Sequence, residues 1–159
     1  MEKRGQAVVT DIVMAFVLFS LLMVVLGVTL HYYLEKLKSD EEFNDLSFRA
    51  MRIADVLAFS SGIPDNWSTL NVQVPGLVRQ ERNISYWKLV NFTSLSLAQV
   101  KDSFGIGSYD FSFQLSYVNG SPLVYFGNDF TIYKNISATS RREVMFYNQS
   151  AYFDFIIWR

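Results

Sequence analysis

The 159-residue chain contains no cysteine. That excludes a disulfide framework and any thiolate metal site. Histidine is almost as scarce. The one imidazole, His31, closes a long apolar run, where an interfacial polar residue is a plainer role than a base or a metal ligand. There is no excess of either charge, with 14 Lys+Arg against 15 Asp+Glu. A nucleic-acid binder needs a basic stripe to neutralise phosphates, so that class is set aside. Patterns that carry chemistry are missing too. No H-E-x-x-H, P-loop or EF-hand spacing occurs, and Gly105-Ile106-Gly107 lacks a third glycine. No nucleophile has a histidine partner, because His31 stands beside the apolar run. The acidic cluster Asp40, Glu41 and Glu42 reads as a solvated helix start rather than a cation site. The expectation is a protein that is not an enzyme and uses no cofactor, metal or small-molecule substrate.

Apolar and aromatic residues are abundant. Ile12 to Leu30 holds no charge and, as a helix, measures about 28 Å, close to a hydrocarbon core of roughly 30 Å. Lys3 and Arg4 precede this run, and His31, Tyr32 and Tyr33 follow it. Basic residues stay cytoplasmic and tyrosines favour the interface, so the N-terminus is expected inside and everything after Leu34 outside. A cleaved secretory signal has a shorter apolar core and then a small-residue site. Here HYYLEKLKSDEE follows, so the helix is expected to persist in the mature protein.

Another kind of processing fits the same residues. The tetrapeptide Lys3-Arg4-Gly5-Gln6 ahead of an apolar helix resembles the class III signal of archaeal type IV pilin-like proteins. The resemblance implies a prepilin peptidase cutting between Gly5 and Gln6, and a helix that anchors the subunit and then packs in a filament core. The family usually carries a glutamate at the fifth mature position. Here that position is Thr10, and Asp11 is the sixth, so the acid is displaced by one residue and shortened by one carbon. Asp11 is the assembly candidate, where it would meet a neighbour's N-terminal amine. Its plainer reading is an interfacial acid favoured by the helix dipole.

Beyond the span, Phe43, Leu46, Ala50, Ile53 and Leu57 recur at helical spacing. Asp45 and Arg49 stand four apart in a favourable pairing, and Gly62 and Pro64 end the pattern. Two forms stay open: one continuous helix from the membrane, or a break with an N-cap at Ser39-Asp40. The rest reads mainly as strands. LNVQV at 70–74 alternates. YDFSFQLSYV at 109–118 places Tyr109, Phe111, Phe113, Leu115 and Tyr117 on one face and Asp110, Ser112, Gln114 and Ser116 on the other. Asn119-Gly120 signals a hairpin with LVYF at 123–126 returning from it. Further strands are expected at 130–133, 143–147 and 151–158. Ser94 to Phe104 reads as a short helix capped by Ser94 or Ser96 and closed by Gly105.

The expected fold is therefore α+β, a long N-terminal helix with a transmembrane half and an amphipathic half, packed on an antiparallel β-sheet head. Its parts are a leader at 1–5, a transmembrane helix at 6–34, an amphipathic helix at 35–61 and an extracellular β-rich head at 62–159.

The head has a second resemblance. The order SGIPDNW, PGL, SYWKL, VKDSFGI, YDFSF is similar to a recurrent head among archaeal pilin-like surface proteins. The matching positions are Gly62, Pro64, Trp67, Gly76, Leu77, Lys88, Leu89, Phe104, Gly105, Ile106, Tyr109 and Phe111. By type they are structural residues, turn formers and core. Lys88 is the exception, and snorkelling is its expected behaviour. Sequons occur at Asn66, Asn83, Asn91, Asn119, Asn135 and Asn148. With nine Asn and 23 Ser and Thr, random placement would give about one. All lie beyond the span, on the side where glycosylation takes place. Asn119 is the weakest because its hairpin role suffices.

Two functions follow. One is a pilin-like structural subunit, major or minor, whose partners are the membrane, a prepilin peptidase, and further copies of itself or other pilin-like subunits. The other is a membrane-anchored, glycosylated surface protein that never polymerises and acts as a binding module.

Overall fold

A computed structural model describes residues 2–80, 82–129 and 136–159, with residues 2–10 described as helical backbone. The expected strand at 130–133 and the sequon at Asn135 lie outside the described residues. The chain divides into two compact units, Met1–Glu42 and Phe43–Arg159.

The described residues of the first unit are helical throughout. They belong to α1, which runs without interruption over Glu2–Phe59. No break occurs at Ser39-Asp40, because the surrounding Leu, Glu and Lys are strong helix formers and both residues sit exposed in the helix interior. Within the apolar run the Thr29 hydroxyl donates to Val25 O at 2.8 Å, which keeps that polar group satisfied inside the helix. The helix contains a segment long and apolar enough to cross a membrane, with a mean hydropathy of 2.8, and none of that window is buried.

The second unit is an α+β head. The last turns of α1 bury Leu46, Ala50, Ile53, Ala54, Leu57 and Ala58. Phe43, the expected first member of that stripe, is instead exposed. A six-stranded sheet runs in the order β3-β4-β7-β8-β5-β6, from β3 (Val78–Gln80), β4 (Asn83–Ile84), β5 (Asp110–Tyr117), β6 (Pro122–Gly127), β7 (Ser137–Phe146) and β8 (Gln149–Trp158). The β5, β6, β7 and β8 pairings are antiparallel, but β4 runs parallel to β7, so the sheet is mixed. A separate two-stranded ribbon joins β1 (Gly62–Ile63) to β2 (Val74–Pro75).

The LNVQV segment is thus not a strand along its length. Only Val74 enters a ladder, Pro75 lacks a donor to extend it, and Leu70 is 96 % exposed. Val72 and Val74 are half-buried, Val72 against the core, while Asn71 and Gln73 are exposed, so the alternation marks a packed side without a sheet ladder along its length.

The β5 alternation does define the core face. Phe111, Phe113 and Leu115 are buried and stand opposite Ile157, Phe155 and Phe153 of β8. Their rings pack closely, with Phe113–Phe153 centroids 4.9 Å apart and Phe111–Phe155 stacked at 5.6 Å. Ser112 and Ser116 on the other face are buried as well. They are small, and they pair with the larger Ile156 and Tyr152 in a strand flanked on both sides.

Two helices cover the core face. The second, α3 (Leu97–Phe104), begins at Ser96 in a capping box with Gln99 and ends at Gly105 in the left-handed region (φ 65°). The first, α2 (Tyr86–Thr93), falls on a stretch where the sequence reading placed no helix. Its N-cap Ser85 makes no side-chain capping bond, and YWKLVNFT is rich in aromatic and β-branched residues, so both local signals are weak. Tertiary contact fixes it. Leu89 and Phe92 are buried, with Phe92 edge-on to Phe113 at 5.5 Å.

Candidate functional site

The helix α1 has no basic residue in its last turn, and its C-terminal carbonyls need donors. They come from far along the chain. Leu77 N donates to Leu57 O at 3.0 Å, and Val78 N to Ser60 O at 3.1 Å. The Trp67 indole Nε1 donates to Ser61 O at 3.1 Å and to Gly76 O at 2.9 Å. Lys88 Nζ donates to Ser61 O at 2.7 Å and to Val78 O at 3.1 Å.

Two glycines make this convergence possible. A Cβ on Gly76 would lie 2.4 Å from both Gly62 N and Ser60 O. Gly62 adopts φ 89°, and a Cβ there would lie 2.6 Å from the Trp67 ring. Gly62, Trp67, Gly76, Leu77 and Lys88, dispersed over 27 positions, therefore meet at one lock around the end of α1.

Lys88 corrects the snorkelling expectation. Its side chain is only 14 % exposed and its ammonium is held by two backbone carbonyls, with Asp65 Oδ1 at 3.7 Å. Snorkelling requires the head group to reach water, and here the carbonyls of Ser61, just past the helix, and Val78 of β3 hold it inside. Burial lowers the Lys88 pKa, and Asp65 opposes that shift. The Asp65 carboxyl is itself held below its ordinary value, first by a hydrogen bond from Ser61 and then by the Lys88 charge. The positive charge at the negative end of the helix dipole is thus supplied by a residue of α2.

A second group, Phe104, Gly105, Ile106, Tyr109 and Phe111, docks beside the middle of the helix segment in the head. Ile106 and Phe111 are buried. The Arg49 guanidinium lies over the Tyr109 ring at 5.7 Å, reaches Gly105 O at 3.5 Å and pairs with Asp45 at 2.8 Å. A third tie was invisible in the sequence. Arg142, on the core face of β7, bonds Asp55 of α1 at 2.6 Å. Its neighbour Arg141 faces the other way and holds Asp154 with two bonds, at 2.7 and 2.9 Å.

The other sequence candidates do not converge. Gly5 and Gln6 lie in the backbone of α1, and Asp11 stands exposed on it. Asn66, Asn119 and Asn148 are exposed in turns, Asn83 is exposed in β4, and Asn91 is half-buried in α2. Among the described residues, no group of three His, Cys, Asp or Glu side chains gathers as a metal site would require.

A surface feature was missed altogether. Tyr86, Trp87 and Tyr147 line a cleft of about 290 Å³ with Arg79, Asn83 and Asn148. No linear motif announces it, because its walls come from α2, β4 and the β7–β8 turn.

Compared with protein-family models, curated proteins and solved structures, the chain matches none.

Proposed function

We propose that this chain is a pilin-like structural subunit of an extracellular, type IV pilus-like filament, cut by a prepilin peptidase between Gly5 and Gln6. One observation carries the reading. A single α-helix, Glu2–Phe59, has a fully exposed apolar stretch from Ile12 to Phe19 and from Leu21 to Leu30, and a last part embedded in the head. An apolar surface of that extent needs lipid or neighbouring helices around it. In the membrane it anchors the subunit, and in a filament the same surface packs against its copies. The head is extracellular and carries N-linked sugars at some of Asn66, Asn83, Asn91, Asn135 and Asn148.

Asp11 bears on assembly. A charged acid within an apolar bundle needs a partner, and the free amine of a neighbour's Gln6 is the partner that cleavage would create. One step along a helix turns a side chain by about 100°, so its placement as the sixth residue requires a different helix rotation from that of the family's usual glutamate.

N-terminal sequencing of protein from its own host tests the processing, with Gln6 as the expected first residue. A Gly5→Val substitution is expected to block both cleavage and filaments. An intact Met1 would overturn the reading. If filaments persisted in Gly5→Val as the only copy, this chain would not need processing for them, and a non-polymerising anchored binding module would take its place.

A further inference from the structure

Tyr86, Trp87 and Tyr147 are all exposed, Trp87 to 74 %. They form a connected aromatic surface. Tyr86 and Trp87 are edge-to-face at 5.8 Å, and Tyr86 and Tyr147 lie 6.2 Å apart. Tyr147 and Asn148 form the tight turn between Phe146 and Gln149, with φ of 50° and 60°. That turn favours Gly and Asn. Asn148 suits it, whereas Tyr147 holds a left-handed conformation that is unfavourable for a bulky residue. The backbone thus spends conformational energy to place an aromatic ring beside a sequon asparagine.

The cleft mixes flat apolar rings with Arg79, Asn83 and Asn148. Such a surface suits a ligand with an apolar face and a hydroxyl edge, as a sugar ring has. Its volume of about 290 Å³ is at the small end of ligand pockets.

We propose that the N-linked glycan carried by Asn148 folds back and seats its first sugars in this cleft, stacked on Trp87 and Tyr147. The inference rests on the reading of the head as extracellular and glycosylated. In the attachment, Asn148 Nδ2 bonds to the anomeric carbon of a lipid-linked sugar phosphate. The phosphate leaves with the bonding pair, and the amide nitrogen loses a proton. Tethering then makes a weak contact sufficient. A ring stacked with millimolar affinity would not stay from free solution, but a short tether supplies an effective concentration of about that size. The glycan would cover an aromatic surface that is otherwise open to association between heads.

The tryptophans provide the probe. Of the three, Trp67 and Trp158 are 2 % and 0 % exposed, so emission quenched by acrylamide comes from Trp87. The full chain is purified in detergent from its own host, and occupancy at Asn148 is measured by glycopeptide mass. Ser150→Ala removes the sequon without altering the Asn148 turn, Ser150→Thr keeps the sequon, and Ser85→Ala removes the Asn83 sequon at a cleft-lining position whose side chain makes no capping bond to α2. Quenching is expected to be at least about twofold stronger in Ser150→Ala than in wild type, as half-occupancy of the cleft implies. Ser150→Thr and Ser85→Ala should remain protected. A sugar on Asn148 with equal quenching in wild type and Ser150→Ala would overturn the seating alone. Protection lost in Ser85→Ala instead would overturn the assignment to Asn148. An unmodified Asn148 would overturn the inference together with glycosylation at that site.

Discussion

Gly76→Ala tests the lock at the end of α1 most directly. The added methyl would sit 2.4 Å from Gly62 N, 2.4 Å from Ser60 O and 2.8 Å from Ser60 C. All three are backbone atoms, so no rotamer change relieves the clash. The two segments must part by about 1 Å to regain van der Waals separation. The hydrogen bonds that cross the same gap are Leu77 N to Leu57 O at 3.0 Å, Val78 N to Ser60 O at 3.1 Å and Trp67 Nε1 to Ser61 O at 3.1 Å. Such a displacement takes each beyond roughly 3.5 Å, where little hydrogen bonding remains. At about 1 kcal/mol each, the loss is about 3 kcal/mol. For a head of this size that corresponds to a melting temperature lower by about 12 °C. The measurement is a thermal melt of the full chain in detergent followed by tryptophan emission, because all three tryptophans belong to the head. Gly107→Ala is the matched control. A Cβ there meets nothing within 4 Å, so its melting temperature should hardly change. If Gly76→Ala melted within about 2 °C of wild type, the close crossing would not be holding the helix end, and the reasoning would fail.

Three further outcomes follow from the same contacts. Lys88→Met should destabilise by about 2 kcal/mol, because Ser61 O and Val78 O lose a charged donor; a near-neutral result in denaturant unfolding would restore the snorkelling description. The Asp65 carboxyl is held below its ordinary value of 3.8, so the stability it contributes is present above that pH and lost as pH falls through the lower folded value. Asp65→Asn should therefore flatten that part of the acid limb in a pH series of unfolding midpoints, and an unchanged limb would contradict the assignment. A double-mutant cycle on Asp55→Asn and Arg142→Met should give a coupling of only about 0.5–1 kcal/mol, because the Asp55 side chain is 46 % exposed; a coupling near zero would mean that this tie orients the sheet without stabilising it.

Where local chemistry decides structure, it could be read directly. The β5 alternation, the Asn119-Gly120 turn, the Ser96 capping box and Gly105 each act through neighbours a few residues away. The apolar run and the stripe from Leu46 to Leu57 belong with them, because the periodicity of a helix is written in consecutive residues. The helix α2 was not legible, since its capping is weak and its stability comes from Phe92 meeting Phe113 in another element. LNVQV misled for the converse reason, as its valines pack on one side but only Val74 has a ladder partner.

An apolar helix of membrane-spanning length, an aromatic-rich α+β head and an improbable density of sequons are all written in the linear order of the residues. Only packing of distant segments brings Gly62, Trp67, Gly76 and Lys88 together at the exit of α1, around Ser60 and Ser61, joins Arg142 to Asp55, and stands Asn148 beside Tyr147, Tyr86 and Trp87. The reason is physical. Helix and strand periods are short-range properties of the chain, whereas the donors for a helix end and the walls of a cleft are chosen by which distant segments the packed core brings together.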